Sequence, residues 1–214
     1  MKAAFAFTLA GLPLALSLPT STPSGADDMV YREVTNPDGR GISLLVHKSL
    51  VDDTQIAKRA DVSFPSNMGP VAFNGDQCGD STFEATSDDS AQACDIDDCN
   101  DLASGLRGLS RHWELNNGFG GFVKDWLELA SAGNCHFYVN RHDFFDATTD
   151  GKNFIGTTDV ADLVQDSVAR FQKWGTVTYP GGSLQVGSVV PANGHAKCFP
   201  NGWDTPWRVQ ANQP

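Results

Sequence analysis

The residues able to do chemistry begin with the thiols: Cys78, Cys94, Cys99, Cys135 and Cys198, all beyond residue 77. A structural zinc site would want ligands in closely spaced pairs. No C-x-x-C pair is present, and the Cys94/Cys99 gap has no matching second half. In an oxidising compartment such cysteines bridge, and five is an odd number, so one thiol is left over or pairs between molecules. As a nucleophile, Cys94 sits in an acidic stretch that raises a thiol pKa rather than lowering it.

The other candidates are weaker still. Asp95, Asp97, Asp98 and Asp101 invite a calcium reading, but an EF-hand loop opening at Asp95 needs Gly sixth and Glu twelfth, where the chain has Asn100 and Leu106. A solvated helix N-terminus explains the same acids. His112, His136 and His142 define no common face, and His136 reads as pointing out of a strand opposite Cys135. No G-x-S-x-G motif is present, and no carboxylate pair is singled out by an aromatic, buried setting. Trp113, Trp126, Trp174, Trp203 and Trp207 could form a sugar-stacking platform, although Trp113, Trp174 and Trp207 read better as core or half-buried. The sequence therefore points to no catalytic residue, no cofactor and no metal ligand.

Two processing signals frame these residues. Lys2 followed by the uncharged run Ala3–Leu18, with small residues at Ala15 and Ser17, reads as a signal peptide over residues 1–17, too short to stay as a membrane anchor. Residues 18–59 contain no cysteine and end in the dibasic pair Lys58-Arg59. They read as a pro-segment cut by a kexin-type protease. Cleavage would leave residues 60–214 as one effector-sized domain. That part holds 20 acids against 9 bases, a net of −11, because residues 1–59 carry six of each. Such a surface disfavours nucleic acid and anionic membranes. The expected product is secreted, extracellular and monomeric.

Among the elements that must position these residues, Ser81–Glu84 alternates as a short strand. Ile96, Cys99, Leu102, Ala103, Leu106 and Leu109 recur at helical steps that end near Gly108. Trp113–Leu115 and Cys135–Val139 read as strands. A second helix is capped by Thr157 or Thr158, with Asp159 and Asp162 in its first turn. Its apolar stripe runs Val160, Leu163, Val164, Ser167, Val168, Phe171 and Trp174, and Gly175 stops it. Val177–Tyr179, Ala196–Cys198 and Trp207–Val209 supply further strands. This order predicts a single small disulfide-stapled α+β domain, an antiparallel sheet with two helices packed on one face.

Fragments spread along the chain resemble one fungal family. They are Cys78-Gly79-Asp80-Ser81-Thr82-Phe83, Thr86-Ser87, Asp98-Cys99, Gly133-Asn134-Cys135-His136-Phe137, Ile155-Gly156-Thr157-Thr158-Asp159-Val160, Cys198 and Trp207-Arg208-Val209. Over about residues 64–210 the chain is similar to the secreted effector domain of the extracellular-protein-two (Ecp) type, the necrosis-inducing-factor family. It departs by the extra Cys94 and by an insertion at Gly181–Gly194. The resemblance implies a killer-toxin-like fold, bridges Cys99–Cys135 and Cys78–Cys198, and Cys94 unpaired. It also implies a virulence factor that binds a host or competitor protein or a cell-wall component. A polysaccharide-binding surface protein and a secreted glycoside hydrolase are the alternatives.

Overall fold

In a computed structural model the described residues are 28–51, 75–115, 126–140, 153–198 and 203–212. The signal peptide, Lys58-Arg59, His142 and the Trp203 side chain lie outside them. Three strands come from the N-terminal segment: β1 (Met29–Thr35), β2 (Gly41–His47) and β3 (Leu50–Val51). Then follow β4 (Cys78–Ser81), β5 (Glu84–Ala85), β6 (Cys94–Asp95), helix α1 (Ile96–Arg107), β7 (His112–Leu115), β8 (Trp126–Ala132) and β9 (Cys135–Asn140). The chain closes with β10 (Asn153–Gly156), helix α2 (Thr157–Phe171), β11 (Gln172–Tyr179), β12 (Gly182–Val189), β13 (Ala192–Cys198) and β14 (Trp203–Gln210).

The main sheet is antiparallel, in the order β1-β2-β8-β9-β14-β13-β4, with β5 also on β13. Two small sheets accompany it, β10-β7-β3 and β11-β12-β6. The two helices pack on each other, and α1 also contacts β8, β2 and β9. The result is a small α+β domain of mostly antiparallel sheet with two helices and two disulfides, Cys78–Cys198 and Cys99–Cys135.

The periodicities become packing in a direct way. On α1 the residues at helical spacing, Ile96, Cys99, Leu102, Ala103 and Leu106, are buried. On β9, Cys135, Phe137 and Val139 face the core and His136 alternates outward. Trp113 and Trp207 are fully buried, with Trp207 stacked on Phe137 at 6.3 Å and edge-on to Phe83 at 5.1 Å.

The second helix departs from its expected end. It stops at Phe171, and Trp174 is carried in β11 instead, 64% exposed. The chain turns extended at Gln172 because β11 pairs with β12 over eight rungs, Gln172↔Val189 to Tyr179↔Gly182. A full ladder outweighs one more helical turn. The strand expected at Ser81–Glu84 is in fact two, β4 and β5, on either side of Thr82 and Phe83. The Gly181–Gly194 stretch is ordered as β12 and the start of β13.

Candidate interaction surface

The sequence-derived chemistry candidates take up structural posts. Asp95 is the N-cap of α1 and its side chain accepts from the Asp97 amide at 2.8 Å. Asp98 accepts from the Asn134 amide at 2.8 Å, and Asn134 Oδ1 accepts from the Asp95 amide at 2.8 Å, so the acids lace α1 to the β8–β9 turn. Cys94 is a free, buried thiol, and burial pushes its pKa up to about 12. Its sulfur lies within 4.8 Å of those of Cys99 and Cys135, which are bonded to each other.

His112 is buried and meets Phe154 edge-on at 5.5 Å. His136 is half-buried and its Nδ1 lies 2.8 Å from Glu128 Oε1. An imidazole held by a carboxylate is half of a catalytic arrangement. The Tyr138 ring stacks on it at 6.1 Å; that phenol is buried and its pKa is raised by the burial, the wrong direction for a nucleophile.

A cleft of about 290 Å³ is lined by Asp76, Cys78, Phe83, Asp159, Asp166 and Arg170, among others. Sequence reading missed the pairing of Asp76 with Asp159, because nothing in their spacing brings residues 83 apart together. Asp159 Oδ2 accepts from the amides of Gln77 and Gly156, both at 2.7 Å, and Oδ1 from the Cys78 amide at 3.0 Å. Burial raises the Asp159 pKa to about 7 against those three donors, and the hydrogen-bonded Asp76 carboxyl adds to the rise. Glycosidase carboxylates stand about 5 Å or more apart to admit a sugar or water. Two carboxyls in direct hydrogen bond leave no such gap, and the amides already occupy both oxygens of Asp159. The pair fastens α2 to β4.

A further exposed surface is the β11–β12 hairpin. Every residue of β11 and the first five of β12 are exposed. Pro180 and Gly181 form the tip, with Gly181 at φ +117°, a conformation that costs a side-chain-bearing residue strain. The hairpin root is tied down by Ser188↔Asp95 and Val189↔Cys94. Side chains alternate across the ladder, so the rungs Val177↔Leu184 and Gly175↔Val186, with Tyr179 next along, share one face. Leu184 is 57%, Val177 53% and Tyr179 52% exposed. Trp174 lies on the opposite face, near the root, where its ring and Ile96 close over Gly187. Residues 172–189 contain one charge, Lys173, on a chain of net charge −11. The four tryptophans whose side chains are described assemble no common platform: Trp113 and Trp207 are core, Arg208 covers Trp126 at 4.3 Å, and Trp174 is exposed apart from them.

No helix among the described residues is long and apolar enough to cross a membrane. No curated protein matches the chain. A family model, Hce2, described as pathogen effectors and candidate necrosis-inducing factors, matches residues 77–198. The match runs from the residue before β4 to the end of β13 and takes in both helices, both disulfides and the exposed hairpin. It is narrower than the 64–210 span of the sequence resemblance, and it omits β1–β3 and β14. On more than half its length, then, this chain belongs to the Hce2 family of pathogen effectors.

Proposed function

We propose that the protein is a secreted effector that acts by binding a host or competitor target through the apolar face of the β11–β12 hairpin. The observation that carries this reading is the row Val177, Leu184, Val186 and Tyr179, solvent-exposed on an ordered, nearly uncharged ladder. Monomeric soluble proteins rarely keep contiguous apolar patches exposed unless something docks there. The family and the two disulfides are consistent with export to an oxidising exterior.

The test is Val177→Thr with Leu184→Asp, in the processed protein applied to plant leaf tissue and to competing fungi. Both side chains are solvated in the folded state, so the melting temperature should stay within about 2 °C, a surface-substitution effect. Necrosis or growth inhibition should fall at least tenfold. Unchanged activity in the folded double variant would sink the docking face.

A second reading has its own observation. Trp174 is exposed on the reverse face of the same hairpin, and an exposed indole can stack on a sugar ring. Retention on insoluble chitin or glucan, lost in Trp174→Ala while the aspartate variant keeps it, would favour a wall-binding protein.

A further inference from the structure

We propose that residues 28–51 remain part of the folded protein after processing, so that cutting at Arg59 yields two chains held together without a covalent link. The segment expected to be discarded carries β1, β2 and β3, and five of its side chains, Val34, Ile42, Leu44, Val46 and Leu50, are buried in the common core. Leu44 and Val46 are fully buried. Leu44 lies directly on the backbone of Gly105 in α1, where an added Cβ would come within 2.9 Å of Leu44 Cδ1. Three residues on, a Cβ at Gly108 would come within 2.9 Å of the Thr35 carbonyl oxygen. The C-terminal half of α1 thus offers bare backbone where the hairpin lies.

The attachment reaches two other strands and makes an ion pair with α1. β2 pairs with β8 through Leu45↔Ser131 and Val46↔Ala130. β3 pairs with β7 through Leu50↔Trp113 and Val51↔His112. Arg40, at the hairpin turn, forms an ion pair with Asp101 of α1. Departure of the segment would bare the edge of β8 and the apolar face of α1, an edge and a patch that both invite aggregation.

The processing step itself is simple hydrolysis by a dibasic-specific protease. Water adds across the Arg59–Ala60 peptide bond, giving an Arg59 carboxylate and an Ala60 ammonium. The bond lies between β3 and β4, so the cut severs no described strand. The N-terminal strands lie outside residues 77–198 that match the family, so the family domain here carries its own companion strands.

The experiment takes the oxidised full chain, cuts it with a kexin-type protease, and verifies the new terminus by N-terminal sequencing. Under native size exclusion and native mass spectrometry, both fragments should travel as one species with the mass of the uncut chain plus one water. They should part only in denaturant. Leu44→Ala with Val46→Ala should lower the denaturant concentration at which the small fragment leaves, and weaken its retention by about tenfold or more, from the lost burial alone. Spontaneous separation of the wild-type fragments in native buffer overturns the proposal. So does resistance of the Arg59–Ala60 bond in the folded chain. Neither outcome bears on target binding by the β11–β12 hairpin.

Discussion

Asp159 is one carboxylate with three obligations: it caps the first turn of α2, and it receives the amides of Gln77 and Cys78 that lead into β4. Asp159→Ala leaves those amides without their acceptor and should cost about 3 kcal/mol, measured by urea denaturation at pH 4. The pH dependence has a definite sign. With the folded pKa raised from 3.8 to about 7, the folded state holds more protons at this site than the unfolded state between those values. The stability this carboxyl contributes is therefore complete below the unfolded value and is lost as pH rises towards 7. The wild-type advantage over Asp159→Ala should narrow across that window, and a gap that widened would contradict the assignment. Cys94 makes the complementary point. Its thiol, buried and pushed up to about 12, should resist iodoacetamide at pH 8 in the native protein and react once denaturant is added. From sequence, Asp159 was legible as a first-turn acid facing the macrodipole. Its grip on a strand 81 residues earlier was not, because long-range amide partners leave no periodic trace.

Among elements, periodicity served best where a helix buries one face. The stripe of α1 and the capped start of α2 follow from residue spacing, whereas the end of α2 does not. Trp174 continues the three- and four-residue rhythm from Phe171, but the eight-rung ladder with β12 claims it for a strand. Local pattern cannot report a partner strand that begins at Gly182. Strands β8 and β12 were likewise silent, being rich in small and polar residues without clean alternation. Pinched contacts are also invisible in a sequence. Gly194 in β13 sits against the Thr82 carbonyl, with the Trp207 ring 2.8 Å from where a Cβ would be. Gly194→Ala should therefore cost about 1–3 kcal/mol through overpacking, readable as a lowered melting temperature. A neutral result would mean that the Thr82–Phe83 link between β4 and β5 moves easily away from β13.

At the scale of the molecule, two disulfides and one cysteine-free segment divide the work of holding the sheet. Cys78–Cys198 spans 120 residues and Cys99–Cys135 spans 36. On the chain-entropy estimate the first contributes about 5 kcal/mol and the second about 4 kcal/mol. Replacing Cys78 and Cys198 together with alanine should therefore lower stability more than replacing Cys99 and Cys135, as compared by denaturant midpoints. The fold class was legible from the order of helices and short strands. The reach of the fold into residues 29–51 was not, since cysteine-free composition and a dibasic end suggested a segment apart.

The place of β14 in the sheet has a consequence in time. Of the described strands β14 comes last in the chain, yet it lies between β9 and β13, near the middle of the order rather than at an edge. A ribosome that has delivered β9 has made β1, β2, β8 and β9 on one side of the sheet and β4 and β5 on the other, and the two sides cannot join until Gln210 has emerged. The nascent chain must hold its early strands open until then. Loss of β14, Trp203–Gln210, would divide the sheet in two instead of trimming its rim.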